Sequence, residues 1–225
     1  SRNEYYGRIK GEIMRRKTIA VLGLGLFGTS LARTLTKENV DVIGMDKNMD
    51  HVEEIIDEVA QCLQGDFTKI DQLKDAGVGD CDIAVVATSQ RLEDTILAIL
   101  HLQKLGIEKI IVKSKNADYR DVLLKVGADR VILPEVEMGV RIARELSNPT
   151  VHELIGLDHR NNISIFPVKD KWIGKTINQM NFREKYGTNI IAIRKENTEQ
   201  FHVEFTGDYI IQENDEFLGI STGDT

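Results

Sequence analysis

The segment from Ile19 to Ser30, IAVLGLGLFGTS, constrains this chain more than any other. An apolar strand runs into three glycines spaced as G-x-G-x-x-G, an amphipathic stripe at Leu31, Ala32 and Leu35 follows, and a second apolar run from Val40 ends at Asp46, eighteen residues beyond Gly28. The order is strand, glycine turn, helix, strand and acid, which opens a dinucleotide-binding fold. Gly23 permits the tight turn, Gly25 lets a phosphate approach the backbone, and Gly28 lets the helix pack on the strand. Helix-start amides then face an anion.

The rest of the first two-thirds repeats the alternation. Strands are expected at 18–22, 40–45, 61–65, 82–87, 108–113 and 130–133, and helices at 28–38, 49–59, 69–76, 91–104, 117–126 and 135–147. Runs such as Ile83 to Ala87 and Ile110 to Val112 are almost continuously apolar, as a sheet covered on both faces requires. The expected class is α/β, a doubly wound parallel, Rossmann-like sheet of six strands, with helices stopped at Gly77, Gly106 and Gly127. After residues 147–150 the pattern becomes alternation, at Ile163, Ile165 and Val168 and again at Phe201, Val203 and Phe205, interrupted by a helical stretch near Lys175–Met180. These features predict a second, smaller α+β domain with antiparallel strands. The expected divisions are a leader or tag over 1–13 ahead of Met14, a nucleotide-binding domain over 14–134, a crossover helix and linker over 135–150, and a lobe over 151–225. In the crossover helix, Val136, Val140, Ala143 and Leu146 are helically spaced, to pack on the first domain or to form a dimer contact. A lobe this small is expected to need a partner surface.

Charge and composition narrow the function. The chain carries a net charge of -7. Residues 1–17 hold six bases against two acids, so the remainder is still more acidic and should repel nucleic acid. Arg15, Arg16 and Lys17 are expected to solvate the entrance to the first strand. No stretch reaches the roughly 20 apolar residues of a membrane span, which points to a cytoplasmic protein. Cys62 and Cys81 lack metal-ligand spacing and are expected to be reduced thiols. His51, His101, His152, His159 and His202 are scattered, without a carboxylate or nucleophile in register, so no enzyme is expected.

Several positions carry two readings. Asp46 either accepts hydrogen bonds from an adenosine ribose or caps helix 49–59, a task open also to Asn48 or Asp50. Lys47 beside it bears on a ribose 2′-phosphate. Thr88 and Ser89 end the fourth strand at the topological switch point, where they either approach a ligand or cap the next helix. Asp66 and Thr68, flanking Phe67, either meet the adenine or cap helix 69–76. Lys113 either faces phosphate or is solvated.

Taken together, Gly23 to Gly28 (GLGLFG), Asp46, Lys125 to Arg130 (KVGADR), the Pro134-Glu135-x-x-Met138-Gly139 motif, and Arg183 to Gly187 (REKYG) with Asn189 to Ile193 (NIIAI) resemble the KtrA/TrkA regulatory subunits of bacterial potassium uptake systems. The resemblance covers residues 17 to 222. It implies an RCK-type nucleotide-binding domain followed by a C-terminal lobe. It further implies an adenine nucleotide, NAD(H) or ATP, ADP or AMP, held by Gly23, Gly25, Gly28 and Asp46, and the expected site also takes in Leu24, Leu26, Phe27, Lys47, Asp66, Phe67, Thr88 and Lys113. Glu135 is implied near the terminal phosphates at a dimer interface, where relatives can place a divalent or monovalent cation; as a first-turn acid it also suits the helix dipole.

The partner implied is a membrane-embedded potassium transporter, gated by dimers assembled into an octameric ring at the inner face of the membrane. Some relatives bind cyclic di-AMP through residues matching Arg183 and Asn189, although His202 to Phe205 replaces their proline-containing strand. A second departure is Leu26, where relatives commonly carry an arginine that reaches the terminal phosphates; leucine offers no such charge. The competing functions are a small NAD(P)-dependent oxidoreductase and a stand-alone cyclic di-AMP receptor.

Overall fold

The computed structural model describes residues 16–88, 91–147, 153–158 and 160–222. The expected leader over 1–13, Ser89, His152 and His159 lie outside them. The chain divides into two compact units after Pro134.

The first unit is built on six strands, β1 (Thr18–Leu22), β2 (Asp41–Asp46), β3 (Gln61–Gln64), β4 (Ile83–Val86), β5 (Lys109–Lys113) and β6 (Arg130–Ile132). All pair in parallel, in the order β3-β2-β1-β4-β5-β6. The sheet is the expected doubly wound one, and its strand order reverses between β1 and β4. Helices α1 (Leu26–Lys37), α2 (Met49–Ile55), α3 (Ile70–Asp75), α4 (Leu92–Lys104) and α5 (Arg120–Val126) connect the strands. Ala20, Leu22, Met45, Ala84 and Val86 pack into one core, while Val21, Val42 and Val85 pack with Leu24 and Ala32 into another. Residues alternate between the two along each strand, so a strand buried on both faces must be apolar throughout.

Helix ends follow local chemistry. Gly77, Gly106 and Gly127 all take positive φ where the expected helices stop. Helix α2 ends at Ile55, not at 59. Glu53, Glu54, Asp57 and Glu58 crowd that end with no base in the last turn, and acid there opposes the helix dipole. Residues 117–119 form a 3-10 turn, with Asn116 accepting from the Asp118 amide at 2.8 Å, before α5 begins.

The second unit begins with α6 (Pro134–Ser147), whose Val136, Met138, Val140, Ile142 and Leu146 are exposed. It continues with β7 (Glu153–Gly156), β8 (Asn161–Pro167), α7 (Ile177–Met180), α8 (Phe182–Tyr186), β9 (Thr188–Arg194) and β10 (Glu216–Thr222). The strands form an antiparallel sheet in the order β7-β8-β10-β9. Its core is aromatic: Trp172 meets Phe182 edge to face at 5.0 Å, and Phe182 meets Phe217 at 5.5 Å. Helix α7 opens on a reciprocal capping box between Thr176 and Gln179 and closes on left-handed Asn181.

The strand expected through Phe201, Val203 and Phe205 does not form. Only His202 pairs, with Ile193, through amide bonds of 2.8 and 3.0 Å. Phe201 lies against the Arg194 guanidinium at 4.6 Å, and Val203 is 67% exposed. The chain leaves the β9 edge to reach α7, where the Asn178 amide donates to the Gly207 carbonyl at 2.8 Å. Alternation in this stretch records two separate contacts and no ladder.

Candidate nucleotide-binding site

Strand β1 delivers the glycine turn to the carboxyl edge of the sheet. Gly23 adopts φ +100°, and a Cβ there would lie 2.8 Å from Cβ of Thr88. Its amide donates to the Met45 carbonyl at 2.8 Å, tying the turn to β2. At Gly28 a Cβ would fall 1.9 Å from the Gly23 carbonyl oxygen, so only glycine lets α1 start this close to its own turn. Thr29 completes the turn by donating its hydroxyl to the Leu24 carbonyl at 2.8 Å.

Gly25 is different in kind. Its φ of -69° is open to any residue, and a Cβ there would meet nothing within 4 Å. No side chain caps α1, and the first helical bond is the Thr29 amide to the Gly25 carbonyl. The Leu26, Phe27 and Gly28 amides therefore precede the helix's own acceptors and point outward. Such a terminus suits an anion.

Asp46 ends β2 beside this turn. Its Oδ2 accepts from the Leu24 amide at 2.6 Å and its Oδ1 from the Asn48 amide at 2.8 Å. Asn48, not Asp46, caps α2, accepting from the Asp50 amide. A carboxylate has about four acceptor sites, so capacity for ribose hydroxyls remains. His51 brings Nδ1 to 3.2 Å from Asp46 Oδ2, a placement that scattered histidines in the sequence did not reveal.

Other expected residues separate. Lys47 Nζ reaches Asp66 Oδ2 at 3.3 Å. Asp66 Oδ1 accepts from the Thr68 amide and hydroxyl at 2.9 and 2.5 Å, closing a turn before α3, whose N-cap is Lys69. Burial pushes the Asp66 carboxyl up, but Thr68 and Lys47 outweigh it and hold it below the ordinary range. Phe67 is 7% exposed, with its side chain in the core, and leaves little ring for a ligand. Leu24 is likewise buried, and its amide is taken by Asp46. Both shape the site from behind.

Helix α4 is capped by no side chain, so Thr88 does not serve it. Thr88 instead packs against Gly23. Lys113 is not merely solvated, since its Nζ lies 5.6 Å from the Phe27 ring centroid, at the start of α1. It also lines a cavity of about 290 Å³ with Arg91, Ser114 and Asn116. Arg91, paired with Glu93, went unremarked in the sequence; its signal is a base beside the end of β4. Leu26 stands 94% exposed at the mouth. Cys62 and Cys81 sit in the same unit, where burial pushes both thiols up to about 11.

The TrkA-N domain model matches residues 19–134, and the TrkA-C domain model matches residues 163–218. The chain belongs to the TrkA family. It is 34% identical over 180 residues to the Ktr system potassium uptake protein C of Bacillus subtilis (strain 168), covering 80% of this chain and 81% of that protein. To the Ktr system potassium uptake protein A of the same organism it is 34% identical over 188 residues, covering 84% and 82%. The GsuK channel bound to NAD superposes with a TM-score of 0.60 at 18% identity, over 98% of this chain and 41% of that one. That likeness is one of fold, and this chain spans less than half of the channel chain.

Among the described residues, no helix is long and apolar enough to cross a membrane.

Proposed function

We propose that this chain is a non-enzymatic, nucleotide-sensing regulatory subunit of a potassium uptake system. It acts at the cytoplasmic face of the membrane through a membrane-embedded transporter. The observation that carries the reading is Gly25. The protein's own backbone and packing do not require glycine there, so the missing side chain serves something outside the chain. Beside it stand unsatisfied helix-start amides, a carboxylate with spare acceptor capacity and a lysine. That set suits the phosphates and ribose of an adenine nucleotide, NAD(H) or ATP, ADP or AMP. Two Ktr relatives and an NAD-bound channel of the same fold support the choice.

Regulation requires the nucleotide to bind two assembly conformations with different affinities, since only that difference can move a gate. The assembly proposed is a homodimer built into an octameric ring. Glu135, in the first turn of α6, takes part in a cation site shared between subunits. Among the described residues no three His, Cys, Asp or Glu cluster to hold a metal, so a second chain would have to complete it. In the second unit, cyclic di-AMP is the proposed second effector. Arg183 on α8 and Asn189 on β9 are both exposed, and a guanidinium suits a phosphodiester while an amide reads a base edge.

Reconstitution with the membrane subunit of a Ktr system in liposomes tests the proposal. Potassium flux should differ at least about twofold between saturating ATP, ADP and NADH. Flux independent of every nucleotide contradicts regulation, and steady hydride turnover favours an oxidoreductase instead.

A further inference from the structure

The second unit carries a concentration of positive charge of which the proposed function uses only Arg183. Residues 169 to 187 contain five bases and two acids, in a chain of net charge -7. Lys171, Lys175 and Lys185 line one cavity of about 400 Å³ together with Tyr186 and Gln179. Among the described residues, neither these three nor Lys169 has a carboxylate at ion-pair distance. Of the two acids, Glu184 is bonded to the Asn181 side-chain amide, and Asp170, between Lys169 and Lys171 in sequence, lies at ion-pair distance from none of the four lysines. Three ammonium groups gathered without a counter-charge repel one another and are relieved by an anion.

Local packing holds part of this arrangement in place. Lys169 Nζ lies 5.6 Å from the Trp172 ring centroid and Lys171 Nζ 5.8 Å from that of Tyr186, so aromatic faces attract both ammonium groups. Trp172 is itself buried at the centre of the aromatic core.

Tyr186 supplies an independent pointer. A phenol offers one O–H donor and accepts on its oxygen. Trp172 Nε1, a donor only, gives its hydrogen to Tyr186 Oη at 3.3 Å, and the Lys171 ammonium, also a donor only, bears on the same oxygen. Trp172 first, then Lys171 and Lys169, bring the phenol below its ordinary range. With donors on the oxygen, the Tyr186 hydrogen is left to donate to an acceptor outside this group.

We propose that this cavity is a phosphate-binding site, with Lys171, Lys175 and Lys185 as its charge partners and the Tyr186 hydroxyl as its donor. Multiple oxygens on one anionic centre match several cations and one neutral donor. Arg183 does not line the cavity, so the site is separate from the one proposed for cyclic di-AMP. The phosphate is carried either by a soluble compound or by a lipid headgroup.

Trp172 is the only tryptophan of the chain and touches Tyr186, so its emission reports on this place alone. The full chain would be titrated at constant ionic strength with inorganic pyrophosphate, and separately with phosphatidylglycerol vesicles against phosphatidylcholine ones. A saturable change in Trp172 emission is expected in at least one arm, and which arm responds identifies the source. Lys171→Gln with Lys185→Gln should raise the half-saturating concentration about tenfold or more, and Tyr186→Phe about threefold. Arg183→Ala should leave it within about twofold. Tyr186→Phe keeps every lysine and the ring, so it remains informative if the double variant fails to fold. No saturable change in either arm up to about 10 mM overturns the site. So does a response that Arg183→Ala abolishes and the lysine variant retains.

Discussion

The two units solve the same problem with different materials. The first buries a parallel sheet under helices on both faces and fills it with Ala, Val, Ile and Leu, so its strands are apolar from end to end. The second, with a four-stranded antiparallel sheet, concentrates its core in Trp172, Phe182 and Phe217 with Phe166 and Tyr186 at the margin. The first unit makes its candidate site from backbone, through glycines and free amides. The second makes its charged cavity from side chains. Substitutions should therefore divide the units by type, with aromatic losses damaging one and backbone crowding the other.

The largest effect is expected from Trp172→Ala, which removes the hub of the aromatic core. A cost of about 3–5 kcal/mol is expected, because the ring contacts of Trp172 with Phe166, Phe182, Tyr186 and Phe217 vanish and the cavity cannot close. Hydrogen exchange should show protection lost in β8 to β10 and retained in β1 to β6; equal loss in both units would break the comparison. Gly28→Ala should follow at about 3 kcal/mol, since the new methyl meets a backbone oxygen that has no rotamer to yield. Denaturant unfolding checks it, and an unchanged midpoint would mean that α1 can shift away from its turn.

The thiols give an effect confined to the first unit. Burial holds Cys62 and Cys81 neutral, so each folded pKa, about 11, lies above the ordinary value of 9.0. A raised folded pKa means that stabilisation is complete below about pH 9 and is lost as pH climbs toward 11, by about 2–3 kcal/mol per thiol. Replacing both by Ala should flatten that part of the stability profile. A profile as steep as that of the original chain would show that other groups drive it.

The smallest effect concerns Leu26. Fully exposed beside the helix-start amides, Leu26→Arg adds a charge without disturbing packing. Calorimetry should show ATP gaining over ADP by about 1 kcal/mol, the scale of a solvent-screened pair. Equal affinities in the variant would place the terminal phosphate elsewhere, with Lys113 and Arg91 next to be tested.

The difference between the units also explains what the sequence could disclose. Glycine spacing is a statement about backbone, and the backbone of the first unit followed it: Gly23 at positive φ, Gly28 against a carbonyl, Asp46 at the edge. Partnerships among side chains were hidden, because they depend on how the elements meet, whether the residues are distant in sequence, as Lys113 and Phe27 are, or five apart, as Asp46 and His51 are. Lys113 under Phe27 and His51 beside Asp46 could be found only once β5, α1 and α2 were in place. Phe67 illustrates the converse, a residue at a ligand-facing position in sequence whose ring turns into the core. In the second unit, period-two alternation at Phe201, Val203 and Phe205 imitated a strand. Conditions there were set by an Arg194 stacking contact and by the path to α7, neither of which leaves a periodic trace.

Gly25→Ala tests the central claim most directly, because the protein itself gives this glycine no task. Its backbone angles suit alanine and open space surrounds the added methyl, so stability should fall by less than about 1 kcal/mol. Isothermal titration of the original chain with NADH, ATP, ADP and AMP should show saturation by at least one of them at one nucleotide per chain. Affinity for that nucleotide should weaken at least about tenfold in Gly25→Ala, or roughly 1.4 kcal/mol. Unchanged affinity in a stable variant, or no binding of any of the four by the original chain, would contradict the assignment of this sheet edge as the nucleotide site.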